Sequence, residues 1–281
     1  MIVTTRHPND DPAIQIRVGG LFHTFRTVRA GWILDLKSAT AFRGDLVIGT
    51  LVSMFWVIFA IAPVLVAGYY LGEGAGWTQA RLLFLQAIWY WMDAVNWVFC
   101  VRNTNGLATD IRNGRLDGRL LLPGDSLLRV MLGQLGVQDL PKFLIAIGLA
   151  AYAIQAGAFP GGVWHIIGFV VCLIAASVMF WAIAVLSFLP AITLFKFEGD
   201  VIVNAIHNLN RVPADLYTPW LHALFSTALP IVLITTVPSR VFFGWSPWWM
   251  PIVCVIAAFV LLVVLRYLWA RQLRHYVGFQ N

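Results

Sequence analysis

Six apolar stretches, each long enough to cross a bilayer, alternate along the chain with short polar connections. Hydrocarbon needs about 20 apolar residues per helix and offers no water to a free backbone group, so each stretch predicts a membrane-crossing helix. The first runs from about Leu46 to Leu71 with Pro63 as a kink, Gly72–Thr78 turns it back, and the second covers about Ala80 to Val101. The third extends from Leu127 to about Gln155, and its first turns carry Arg129, Gln134, Gln138, Asp139 and Lys142, so only its later part reads as immersed. After the Gly157–Gly162 turn, the fourth runs from Val163 to about Phe195, longer than a bilayer requires, with Pro190 near its end. A polar segment, Lys196–Trp220, reads as a return to the side of the Arg102 loop. The fifth stretch, Leu221–Val237, is short and broken by Pro230 and Pro238, the pattern of a segment that folds back. Trp245, Trp248 and Trp249 then read as an interfacial belt before the sixth stretch, about Pro251 to Trp269.

Ahead of the first stretch, Leu21, Phe25, Val28, Trp32 and Leu36 fall at helical spacing within Ile16–Lys37, with Arg26, Arg29 and Lys37 at the edge or opposite. Such a helix lies along the membrane surface, or packs on loops as a soluble helix does. The predicted fold is therefore an all-α integral membrane protein: a cytoplasmic N-terminal segment (1–45) with this interfacial helix, a six-helix membrane domain (46–270) with a proline-broken fifth helix and an outer re-entrant segment, and a tail (271–281).

Charge placement sets the orientation. With the N-terminus inside, seventeen Lys and Arg fall on the inner side or at inner helix ends and only Arg81 and Arg240 lie outside. Both termini are then cytoplasmic, and Met1–Gln15, polar and proline-broken, has no signal-peptide core. The net charge of +6 does not call for nucleic acid, because anionic lipid and the orientation rule account for basic residues spread over one side. A chain of 281 residues, 60% hydrophobic and 11% charged, leaves no room for a soluble domain of about 100 residues, so any large activity outside the membrane belongs to a partner. Cys100, Cys172 and Cys254 sit in apolar runs as small hydrophobes.

The most specific local signal is residues 102–126, RNTNGLATDIRNGRLDGRLLLPGDS. Thr104 or Asn105 can cap a short helix and Gly114 can end it. Leu116, Leu120, Leu121 and Leu122 are apolar in a water-facing connection beside Arg112, Arg115 and Arg119. They form a docking surface, or they pack under the protein's own membrane face.

In the second stretch, Asp93 joins Gln86, Trp89, Tyr90, Asn96 and Trp97 in a polar and aromatic stripe at spacings of three and four. A carboxylate at that depth is costly unless paired or wet, so the stripe faces a water-filled path or a neighbouring helix that bonds it. Asp139 and Lys142, at i and i+3, read as a local ion pair at the interface. The six histidines share no metal-ligand spacing, and no G-x-x-x-x-G-K-[ST] phosphate loop is present, so neither a metal nor a P-loop nucleotide site is expected in this chain. A lipid-modifying enzyme of the CDP-alcohol transferase kind lacks its carboxylates, since Asp117-Gly118-Arg119 stands alone. That class, and a nucleotide-independent channel or scaffold, remain the alternatives to transport.

Ile111-Arg112-Asn113-Gly114-Arg115-Leu116-Asp117, followed by Leu120-Leu121-Leu122-Pro123, resembles the cytoplasmic stretch I-x-x-G-x-L-D-x-x-L-L-x-P of ABC-2 type permeases. Pro213-Ala214-Asp215-Leu216-Tyr217 with Pro230, Pro238 and Gly244 resembles their fifth-helix region, and Arg274-His275-Tyr276-Val277-Gly278 their closing R-x-Y-x-G tail. The Trp-rich Trp245–Trp249 segment departs from that pattern at the outer gate. The resemblance implies the permease subunit of a transporter in a bacterial inner membrane. A second permease, identical or homologous, would complete the path, and two ATPase subunits would bind ATP and magnesium beneath. It further implies that the loop of Leu107, Asp110, Ile111, Arg112, Gly114, Arg115, Leu116, Asp117, Arg119 and Leu120 couples to the ATPase, braced by the N-terminal helix. The abundance of aromatic residues favours export of an amphipathic or lipid-like compound, with import as the alternative.

Overall fold

The computed structural model of the protein describes residues 21–71, 76–121, 124–192, 199–218, 220 and 230–275. Every regular element among them is helical. Residues 1–20, Leu122 and Pro123, Lys196, most of the fifth apolar stretch and the Tyr276–Gly278 motif lie outside the described residues.

Helix α1 (Leu21–Ala41) and helix α2 (Arg43–Leu71) follow one another with only Phe42 between them. Helix α3 (Gln79–Val95) begins at the Thr78 cap, passes through a π-turn (Asn96–Val101) and continues as α4 (Arg102–Arg112). The helical path from Gln79 to Arg112 is thus unbroken and roughly 50 Å long at 1.5 Å per residue. The expected loop start at Arg102 is corrected by this continuity. Thr104 caps nothing: it sits mid-helix, and its hydroxyl donates to the Cys100 and Val101 carbonyls at 3.0 and 3.1 Å. Gly114 does end the helix, at φ +66°, a conformation a side chain would strain.

The predicted third helix is also corrected. It divides into a short helix α6 (Ser126–Leu132), a 3₁₀ turn (Val137–Asp139) and α7 (Pro141–Gln155), with α5 (Leu116–Leu120) before it. Gly133 and Gly136 interrupt the first part, and Pro141 occupies the first turn of α7, where its missing N–H costs nothing.

Helix α8 (Val163–Phe188), with its 3₁₀ extension Leu189–Ile192, and helix α11 (Met250–His275) run the length of the molecule. By length and composition, Val137–Gln155, Val163–Ile192 and Met250–Arg274 are able to cross a membrane. Helix α3 packs against α7 and α8, and helix α10 (Thr236–Phe242) and α11 pack on α8. Their shared core includes Phe84, Met92, Cys172, Met179, Phe180 and Cys254. One end of this bundle carries Trp77, Phe243 and Trp245 in mutual ring contact, and the other carries α4 and α5 with Arg102, Arg115 and Arg119. These are the tryptophan end and the basic end.

The segment after α8 overturns an expectation. Gly199 abuts Ser187 and Phe188 at the basic end of α8, and helix α9 (Asp200–Leu209) then rises so that His207 reaches Phe180. Asp215 meets Trp77 and Arg240 at the tryptophan end. Residues 199–217 therefore climb alongside α8 and α3 from one end to the other, and do not all return to the side of the Arg102 loop. Arg211, counted on the inner side, consequently sits partway up, over Trp89. Its Asn, His and Arg break the apolar run that marks a span, so the sequence pattern alone reads as a polar connection.

Candidate functional site: a buried ion cluster and the loop at the basic end

At Asp93, in the last turn of α3, four elements bring charge together. The Lys142 ammonium lies 2.9 Å from Asp93 Oδ2 and 3.1 Å from Asp139 Oδ1. Ser53 of α2 donates to Asp139 Oδ1 at 2.7 Å, and His207 Nε2 lies 3.1 Å from Asp93 Oδ1. None of these four charged or titratable side chains is more than 14% exposed. The start of α7 explains the local geometry, since the 3₁₀ turn before Pro141 leaves Asp139 three residues ahead of Lys142 on the same side. Lys142 also faces the Trp97 ring at 4.8 Å.

Asp139–Lys142 is thus an ion pair as expected, but a buried one shared with Asp93 rather than a local pair at the interface. Two carboxylates and one ammonium out of water hold only while each stays paired, because removing one partner strands the others.

His207 was missed by sequence reading. The available signal was its place with Val203 and Ile206 on the buried face of α9. Trp89 holds it, stacking on the imidazole at 4.2 Å while its indole N–H donates to the His207 carbonyl at 2.7 Å. The Arg211 guanidinium lies 4.4 Å from the Trp89 ring. Of the predicted stripe, Gln86, Trp89, Tyr90 and Asn96 are buried, Asp93 is nearly so, and Trp97 is 42% exposed. Neither amide atom of Gln86 has a hydrogen-bond partner among the described residues.

At the basic end, the two readings of the leucines divide between residues. Leu107, Ile111 and Leu116 are fully buried and hold α4 and α5 onto the body, so of the expected coupling loop these three present no side chain at the surface. Leu120 is half-buried, and Leu121 is 84% exposed. Asp110 turns inward and receives Arg119 at 2.9 Å and Arg115 at 3.5 Å, closing the turn around Gly114. What this end presents is Asn105, Thr109, Asn113, Arg115, Gly118 and Leu121. A polar groove of about 610 Å³ runs between Asn105, Thr109, Arg115, Gly118 and Gln134.

Helix α1 clamps this loop with Trp32 of the predicted stripe and with Thr24 and Asp35, which the stripe did not include. Thr24 accepts the Asp125 N–H at 2.8 Å, the Trp32 indole donates to the Leu132 carbonyl at 2.7 Å, and Asp35 accepts the Leu135 N–H at 2.8 Å. Gly31 lets the Gly133 carbonyl approach so closely that a Cβ would collide with it. Phe22 and Phe25 point outward, 86% and 64% exposed. The π-turn is tied to the same segment: the Gly136 N–H donates to the Val98 carbonyl, freed by the shifted register, at 2.9 Å. Asn103 exchanges hydrogen bonds with both backbone groups of Gln134 at 2.8 and 2.9 Å. On the far side, Asp125 meets Arg266 at 3.0 Å and the Trp269 indole donates to Ser126 at 3.1 Å.

At the tryptophan end, Asp215 accepts from Trp77 at 3.1 Å and Arg240 at 3.0 Å, and Arg81 stacks over Trp245 at 4.8 Å. Pro213–Tyr217 thereby joins the start of α3 to α10.

No curated protein and no solved structure matches the chain. The family model for the ABC-2 family transporter protein matches residues 51–279, which takes in α3 to α11 with both the ion cluster and the loop. A multi-pass helical body with apolar crossing segments and a clamped loop at one end agrees with that match, and the chain belongs to the ABC-2 transporter family as a permease subunit.

Proposed function

We propose that this permease works with a separate ATPase that grips the basic end, and that it exports an amphipathic or lipid-like compound. The observation that carries the reading is the unbroken helical path from Gln79 to Arg112, which joins the loop at the basic end to the depth of the ion cluster in one continuous element. A push on α4 is transmitted along α3, and clamping by α1 and Arg266 makes α4 to α6 move as a block. Closure of the ATPase then shifts the population of membrane conformations.

In this proposal six segments cross: α2, α3, α7, α8, residues 199–217 and α11, with Pro230–Phe242 as the re-entrant part on the outside. The basic end faces the bacterial cytoplasm, as do both termini. Two permeases, identical or sister chains, enclose the path, and two ATPase subunits bind ATP and magnesium. The stripe of Gln86, Trp89, Tyr90, Asp93, Asn96 and Trp97 serves as the interhelical seam beside that path.

The test uses Leu121→Asp, which alters an exposed side chain only. Loss of ATPase co-purification and of stimulated ATP hydrolysis is the expected result, and unchanged association sinks the docking assignment. Uptake of candidate lipids into inverted vesicles tests export, and uptake solely from the opposite side reverses the direction.

A membrane enzyme is the second reading, because Asp93, Asp139 and His207 do gather at one depth. Transport is favoured over it since both carboxylates are committed to Lys142. Lipid turnover by the purified chain that disappears in Asp93→Asn would favour the enzyme.

A further inference from the structure

A groove of about 550 Å³, within the range of about 300–1,000 Å³ common to small-molecule sites, lies between α8, α10 and the start of α11 at the tryptophan end. Both α8 and α11 begin at this end and both are apolar and long enough to cross a membrane. The lining changes along the helices. His165, Ser246 and Trp248 stand near the helix starts, whereas Val171 and Val255 lie farther along α8 and α11. Val171 is roughly 12 Å below the first residue of α8 at the helical rise per residue.

The back wall is tight. A side chain at Gly168 would lie 3.1 Å from Val241 and 3.2 Å from Pro251, so the glycine lets α10 and α11 close on α8 while the groove stays open in front. Trp164 and Trp248 are 82% and 84% exposed, as tryptophan is where hydrocarbon meets head groups. A groove on two helices able to cross a membrane, with His165 and Ser246 near the helix starts and only apolar side chains a turn or two deeper, has the polarity profile of a lipid.

We propose that this groove binds one acyl chain of a membrane phospholipid, with the head group at the level of Ser246 and Trp248. Because surrounding hydrocarbon is as apolar as the groove, selectivity comes from packing against the Gly168 wall and from the interfacial polar groups, not from the hydrophobic effect. The inference rests on the crossing helices alone and is independent of any ATPase.

The test is photolabelling of the full chain reconstituted in phosphatidylcholine vesicles doped with a phosphatidylcholine that carries a diazirine in mid-chain. Labelling of the α8 and α11 groove peptides is expected to saturate as the probe fraction rises, while labelling of the exposed α2 face at Phe55 and Phe59 rises linearly. Filling the groove with Val171→Trp or Ile252→Trp is expected to lower groove labelling about tenfold, a difference of one decade in affinity, with α2 labelling unchanged. Groove labelling that never saturates, or that survives filling, would overturn the proposal. Should the filled variants not fold, saturation in the unaltered chain decides by itself.

Discussion

The Lys142 ammonium lies 2.9 Å from Asp93 Oδ2, and this contact fastens the start of α7 to the last turn of α3. His207 approaches the other oxygen of the same carboxylate at 3.1 Å, so Asp93 is the point at which α3, α7 and α9 meet.

Lys142→Met is expected to destabilise the protein by about 3–5 kcal/mol, since it leaves Asp93 and Asp139 buried without the ammonium they share. Asp139→Asn keeps a one-to-one pair and is expected to cost about 1 kcal/mol, the worth of one hydrogen bond. Unfolding in mixed micelles measures both, and equal losses in the two variants would show that Lys142 is not what balances the cluster.

Around Asp125 two contacts compete in importance. Its side chain accepts the Leu128 N–H at 3.1 Å as the cap of α6, and it pairs with Arg266, whose side chain is 55% exposed. An exposed pair contributes about 0–1 kcal/mol, so the cap dominates. Asp125→Asn is expected to be nearly neutral, and Asp125→Ala to cost about 1 kcal/mol. A thermal scan in detergent that ranks them the other way would mean that the Arg266 pair carries the junction.

Gly31→Ala is expected to push α1 off α6, because the new methyl would overlap the Gly133 carbonyl. Protease cleavage between α1 and α2 should speed up, with α3 to α11 remaining protected. Unaltered cleavage would place α1 elsewhere.

The path of residues 199–217 can be read chemically. Cys100, Cys172 and Cys254 are buried, so an introduced cysteine labels against a low background. Thr218→Cys is expected to react with an impermeant maleimide from the same side as Trp248→Cys, and Asn113→Cys from the opposite side. Labelling of Thr218→Cys together with Asn113→Cys would restore a return to the Arg102 side.

Leu107 and Leu121 are both leucines in one short basic segment, yet Leu107 is fully buried and Leu121 is 84% exposed. Spacing places both near a helix and says nothing of which neighbour α4 will find. Gly114 was legible, because the left-handed turn it permits is a local property of the chain.

Length, apolar content and the one-sided placement of Lys and Arg made this a helical membrane protein from sequence alone. Partition between water and hydrocarbon acts on each segment separately, so it leaves its mark in the order of residues. Tertiary structure decided the rest: that His207 faces Asp93, that Asp215 reaches Trp77, and that Thr24, Trp32 and Asp35 form the clamping face of α1. Each of these joins residues from different helices. A charge or a hydrogen bond is satisfied by whatever lies beside it in space, and no periodicity along one helix specifies its neighbour.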